Sequence, residues 1–185
     1  MKVFAIDPGN VNSAYAVMET RSGQDYALLE FGKHPNKECM ERMIDWIDRE
    51  YHPDKVIVER VASYGMAVGR EVFETCEWIG RFSQEAEKYV PVDYIYRKDE
   101  KVTICGNMKA KDSNIRQALI DRFAQRDLKN GRGTKKDPDY FYGVAHDVWA
   151  AISVAVTYLD MQQEILNRAP QLQVRVTGHG GSTPQ

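Results

Sequence analysis

The sequence predicts an α/β domain, a mixed five-stranded sheet flanked by helices, and three observations carry that prediction. Two short apolar runs, Lys2–Asp7 and Lys55–Glu59, each end in an acid, as buried strands do where they reach a surface. Two further strand-like runs lie between them, parted by turn residues. After Phe31, segments with helical spacing alternate with strands, a pattern that builds parallel pairs with helices over the sheet faces.

Each element follows from its residues. Lys2–Asp7 (KVFAID) is closed by the turn signal Pro8-Gly9-Asn10. Ser13–Glu19 and Tyr26–Phe31 flank the turn Ser22-Gly23-Gln24-Asp25, so the first three strands form a meander. In Asn36–Tyr51, Met40, Met43, Ile44, Ile47 and Tyr51 fall on one helical face, and Pro53-Asp54 ends the helix. Lys55–Glu59 (KVIVE) is the fourth strand. Gly69–Lys88 is a second helix with Val72, Cys76, Ile79, Ser83 and Ala86 in one stripe, and Pro91–Arg97 is the fifth strand. Asp112 is the predicted N-cap of a helix to about Arg126 with Ile115, Ala118, Leu119 and Phe123 inward. Leu128–Tyr140, with Gly, Pro, Asn and four basic residues, reads as a loop. The last helix, from about Ala145 to Arg168, is apolar on most faces through Leu159 and is predicted to be buried. Residues 1–168 thus form one domain, and residues 169–185, rich in Gly, Ser and Gln, a disordered tail. The order β-β-β-α-β-α-β-α-α matches the ribonuclease H-like fold.

Composition narrows the function. A chain of 185 residues suits one domain and needs no disulfide scaffold to hold its core. Its three cysteines, Cys39, Cys76 and Cys105, make no C-x-x-C pair, which argues against a secreted framework and against thiolate zinc. With no 18-residue apolar run and no signal-peptide pattern, a cytoplasmic protein is expected. The formal charge is −2, but unevenly placed. Arg97–Lys136 holds twelve basic residues and five acids, net +7, against −9 for the rest. Such asymmetry suggests a footprint for a phosphate backbone; an ordinary solvated helix and loop is the plain alternative.

The acids carry the chemistry. If the strands ending in Asp7 and Glu59 are parallel neighbours, about 4.8 Å apart, their carboxyls converge at the carboxyl edge of the sheet. Two carboxylates that close repel unless a proton or a cation lies between them. Oxygen donors without Cys favour a hard ion, magnesium or manganese. Asp147 heads the last helix in Ala145-His146-Asp147-Val148-Trp149-Ala150-Ala151, where the small alanines permit a close approach to the sheet. The plain readings are acids that close strands at the surface and an acid that complements a helix dipole.

Ile6-Asp7-Pro8-Gly9, Ile57-Val58-Glu59 and the Asp147 helix together resemble the RuvC-type Holliday junction resolvases. Tyr64-Gly65-Met66, Arg97-Lys98-Asp99-Glu100 and Met108-Lys109-Ala110-Lys111-Asp112 are similar to the branch carried by bacteriophages of Gram-positive bacteria. The resemblance spans about residues 1–160. It implies that Asp7, Glu59 and Asp147 are catalytic carboxylates binding Mg2+ or Mn2+, two ions per site, and that Lys111 is a catalytic lysine at the site's edge. The family's fourth acid or histidine ligand would fall at Val144, which cannot bind metal. His146, Asp137 or Asp139 would have to substitute, although His146 would point about 100° away from Asp147 on a helix.

Two ions of that kind would stabilise the attacking and leaving oxygens of a phosphodiester hydrolysis. Arg97, Lys98, Lys109, Lys111 and Arg116 are the predicted DNA-backbone contacts, with Lys135 and Lys136 behind them, and Tyr64 the residue that would stack on an unpaired base. Opposed nicks across a four-way junction call for a symmetric homodimer. The helix Gly69–Lys88, with Phe73 and Trp78 beyond its buried stripe, resembles the family's dimer helix. The expected activity is that of a crossover junction endodeoxyribonuclease. A ribonuclease H-fold nuclease for other branched DNA or structured RNA, and a junction-binding protein without catalysis, stay open. An actin-like ATPase shares the opening strand but needs a second domain, for which 185 residues leave no room.

Overall fold

A computed structural model describes residues 1–63, 65 and 67–177, with side chains through residue 169. Five strands, β1 (Lys2–Asp7), β2 (Asn12–Ser22), β3 (Asp25–Pro35), β4 (Lys55–Arg60) and β5 (Val92–Tyr96), form one sheet in the order β3-β2-β1-β4-β5. β2 pairs antiparallel with β1 and β3, whereas β4 is parallel to both β1 and β5. The mixed five-stranded sheet and its meander are therefore as predicted. β2 and β3 run longer than their apolar cores, because the ladder continues through Asn12↔Pro35 regardless of polarity.

The helices are α1 (Asn36–Asp45), α2 (Arg70–Ala86), α3 (Arg97–Cys105), α4 (Asp112–Phe123) and α5 (Val148–Thr177). α1 passes into one π-helical turn over Trp46–Glu50, where the Tyr51 N–H donates to the Trp46 carbonyl at 3.0 Å. α3 is an addition to the predicted order, which had no element between β5 and Asp112. α4 begins with Lys111 at the N-cap, one residue before the predicted cap. α5 continues past Arg168 to Thr177, and residues 178–185 lie outside the described residues. Among the described residues, no helix is long and apolar enough to cross a membrane.

Alternation along β1 divides the core into two layers, as a period of two requires. Val3 and Ala5 face α4 and α5 with Ile57, Leu119, Ile152 and Ala155, while Phe4 and Ile6 face α1 and α2 with Met43, Trp46, Val58 and Phe82. Of the two alanines expected to permit a close approach, Ala151 is fully buried and Ala150 half-buried; Ala155, one turn further on, is fully buried as well, and α5 packs across β1 and β2. Of the helix expected at a dimer contact, Ile79 and Phe82 are buried in the core, while Phe73 is 60% exposed and Cys76 also lies outside.

Candidate active site

Register assembles the site. Ile6 pairs with Val58 across β1 and β4, and Glu59 pairs with Ile95 across β4 and β5. Asp7, Glu59 and the start of α3 thus stand side by side at the carboxyl ends of three parallel strands. The turn after Asp7 is pinned by a buried polar network. Ser13 Oγ donates to Asn36 Oδ1 at 2.7 Å, Asn36 Nδ2 donates to the Gly9 carbonyl at 2.9 Å, and the Gly9 N–H donates to Ser13 Oγ at 3.3 Å. A Cβ at residue 9 would stand 2.3 Å from the Asn12 carbonyl oxygen, so only glycine permits this turn.

Asp7 and Glu59 line a cavity of about 210 Å³ with Pro8, Arg60, Val61 and Arg97. Burial raises the Asp7 pKa well above the usual carboxylate range, and the Glu59 charge and a hydrogen bond with that carboxyl raise it further. Glu59 is pushed up to about 7, by burial first and then by the charge of Glu100.

Glu100 is the residue sequence reasoning missed. It lies one turn into α3, fully buried. Its Oε2 accepts from Arg97 Nη1 at 2.5 Å and from Ser153 Oγ of α5. Its carboxyl is also within hydrogen-bonding reach of Glu59. Burial raises its pKa to about 7 although Arg97 and Ser153 favour the charged form. The available signal was an acid in the first helical turn after a strand that ends beside Glu59; the run Arg97-Lys98-Asp99-Glu100-Lys101 instead reads as solvated charge.

Arg97 is turned into this cluster. Besides Glu100 it meets Asp112 through Nη2 at 2.7 Å, and its side chain is only 26% exposed. It also forms a wall of a second cleft, of about 130 Å³, that holds His146, Asp147, Arg116 and Trp149. Asp147 immediately precedes α5, its carbonyl accepting from the Ala150 N–H at 2.9 Å, and its carboxylate pairs with Lys33 of β3, another residue not foreseen. The site therefore has two acidic lobes, Asp7 with Glu59 and Glu100, and Asp147 apart, joined by Arg97.

The remaining expected residues fall as follows. Lys98, Lys109 and Lys111 are exposed; the Lys111 N–H donates to Asn114 Oδ1 at 2.9 Å, fixing the start of α4. The Arg116 guanidinium lies 4.8 Å from the Trp149 ring centroid at the rim of the Asp147 cleft. Val144 is fully buried in the core, so it leaves no ligand there. Of its substitutes, His146 lines the Asp147 cleft. Asp137 and Asp139 do not reach the site: Asp137 pairs with Arg126, and Asp139 accepts the N–H groups of Gln125, Arg126, Asp127 and Tyr140. Tyr64 lies outside the described residues.

The donor set suits a hard divalent cation. Three carboxyls neighbour one another, Glu100 fully buried and Asp7 and Glu59 half-buried, each holding its proton more firmly than in water, and among the described residues no donor reaches the buried Glu100 Oε1. A cation relieves both costs. Among the described residues no three such side chains already surround one point as a ready metal site; Arg97 holds Glu100, and Lys33 holds Asp147.

No family model matches the sequence, and no curated protein matches it. Solved structures do. RuvC of Thermus thermophilus in complex with a Holliday junction substrate is 18% identical with a TM-score of 0.62, over 88% of this chain and 97% of that one. The structure of Thermus thermophilus RuvC determined separately gives 19% and 0.59, over 89% and 96%. The yeast mitochondrial Holliday junction resolvase Ydc2 is 10% identical with a TM-score of 0.60, over 92% and 84%. The chain has the ribonuclease H-like fold of the RuvC-type Holliday junction resolvases.

Proposed function

We propose that this chain is a structure-specific endonuclease that resolves four-way DNA junctions by metal-dependent phosphodiester hydrolysis. One observation carries the reading: Asp7 and Glu59 converge from parallel strands into a buried carboxyl cluster within a resolvase fold. Mg2+ or Mn2+, two ions held by Asp7, Glu59 and Asp147, would supply an activated water and neutralise charge on the leaving oxygen. Asp7, on the central strand, would be the carboxylate shared between the two ions. Glu59 and Asp147 would hold them from either side. Lys111, exposed at the start of α4, is suited to steady the scissile phosphate. Lys98, Lys109 and Arg116 are open to backbone phosphates, while Arg97 is engaged by acids and acts on the cluster instead.

The reading includes a homodimer, since Phe73 and Cys76 present an uncovered face of α2 and paired nicks need two sites. It also includes a cytoplasmic protein of the bacteriophage branch, on the strength of Tyr64–Met66 and Met108–Asp112.

A labelled immobile four-way junction, incubated with MgCl2 beside a linear duplex, tests the proposal. Symmetric nicks in the junction alone are expected. Asp7→Asn or Glu59→Gln should abolish cleavage and leave junction binding intact or tighter, because negative charge near phosphate is removed. An intact junction beside a cleaved flap or RNA would overturn the resolvase reading. Binding without cleavage by any form would overturn the enzyme.

A further inference from the structure

We infer that Glu100 is a metal-ligating carboxylate of this site, taking on from α3 the coordination that Val144 cannot offer from the approach to α5. The inference rests on the metal-dependent reading above and adds a ligand to it. A buried Glu could be merely the counter-ion of Arg97, and one oxygen does that. Oε2 receives Arg97 Nη1 at 2.5 Å and the Ser153 hydroxyl. Oε1 is the informative atom: it is buried, and among the described residues no N–H or hydroxyl donor reaches it, leaving only the carboxyl of Glu59, itself an acid, within hydrogen-bonding reach of the group. A carboxylate oxygen left so is costly unless something positive meets it.

The arrangement is that of a ligand held by an outer shell. Metal-bound carboxylates are characteristically fixed by a hydrogen bond to one oxygen while the other faces the ion. Here two donors from different helices, Arg97 and Ser153, fix the carboxyl plane, and the free oxygen belongs to a group within reach of Glu59. The route through the chain differs from the family's, since the acid comes from the first turn of the helix after β5. The local geometry allows it: β5 ends beside Glu59, and α3 begins with no intervening turn.

Mn2+ binding read by titration calorimetry, with the free ion counted by electron paramagnetic resonance, tests this without reference to cleavage. Wild type is expected to bind about two ions. Glu100→Gln, matched in size, should lose one ion or weaken binding by about 10–100-fold. Ser153→Ala, which removes one of the two donors to Oε2 but keeps the charge, should weaken it less and keep the stoichiometry. Glu100→Asp serves the same comparison should Glu100→Gln fail to fold by circular dichroism, and its shorter reach predicts the same loss. Wild-type affinity and stoichiometry in the folded Glu100 variant would overturn the inference and leave Glu100 as a partner of Arg97 only. Absence of Mn2+ binding by wild type would instead refute the metal-dependent reading itself.

Discussion

Glu59→Gln should make the metal-free protein more stable, and more so as pH rises. The Glu59 carboxyl sits among Asp7 and Glu100, and its pKa is pushed from 4.5 to about 7. A carboxyl that binds protons more tightly folded than unfolded favours the fold below the unfolded value, and that contribution is lost as pH rises through the folded value. The loss from one such group between pH 5 and pH 8 is about 2–3 kcal/mol, since each tenfold difference in proton affinity between the two states is worth about 1.4 kcal/mol. Glutamine keeps the shape and removes the titration. In a domain of this size, where 1 kcal/mol moves Tm by roughly 2–4 °C, the variant should melt about 5–10 °C above wild type at pH 8 in EDTA. The gap should narrow to about 1–3 °C at pH 5. Mg2+ should raise the wild-type Tm at pH 8 and raise the variant's less, since a ligand that binds only the folded state stabilises by mass action. Thermal melts by circular dichroism across pH 5–8 read both effects. A Tm difference independent of pH, or equal Mg2+ stabilisation of the two proteins, would refute the account of Glu59 as a buried carboxyl relieved by a cation.

Three other outcomes follow from the same structure. Lys111→Ala should lower single-turnover cleavage by about 10–100-fold while junction affinity changes by less than about threefold, as expected of a group that meets developing charge; equal losses in both would make it a simple backbone contact. Phe73→Glu, on the exposed face of α2, should shift the protein to monomer in analytical ultracentrifugation and uncouple the two nicks. Asp139→Ala leaves four backbone N–H groups without their acceptor beyond the end of α4 and should cost on the order of 3 kcal/mol in urea unfolding, with the active-site carboxyls untouched.

Asp7 and Glu59 were legible because a buried parallel strand is a local object. Its apolar run, its terminal acid and its turn are contiguous, and two such runs need only pair in register to bring the acids together. Asp147 was legible for the same reason, as the residue before a helix whose burial is written on every face. Glu100 and Lys33 were not. α3 has only nine residues, its Val102 is 48% exposed, and no turn separates it from β5, so neither periodicity nor punctuation marks it. Lys33 lies in a polar extension of β3 beyond Phe31, held by its ladder to β2 and not by an apolar pattern. Both reach the site through tertiary contacts more than 50 residues away in sequence, Glu100 to Ser153 and Lys33 to Asp147. Contacts that distant leave no local trace.

The basic stretch and the buried acids are two halves of one electrostatic arrangement. Arg97, Arg122 and Arg126 are consumed internally, by Glu100 and Asp112, by Asp160 and by Asp137, so the +7 of Arg97–Lys136 overstates the charge offered to a ligand. The exposed lysines of that stretch fall into two groups: Lys129, Lys135 and Lys136 in the loop beyond α4, and, at the edge where helices begin, Lys98 at the start of α3 and Lys109 and Lys111 at the start of α4. A phosphate drawn to that edge meets the field of Asp7, Glu59 and Glu100 just beneath it. With those carboxyls ionised and unpaired, the acids oppose the attraction the lysines supply. On the proposed function a cation among the acids would remove that opposition, so metal and DNA would strengthen each other's binding by the same factor. The tighter junction binding expected of Asp7→Asn is the same coupling reached by neutralising the acid instead of filling the site. The crowding that raises these pKa values is thus what would make the metal a condition for productive DNA binding as well as for hydrolysis.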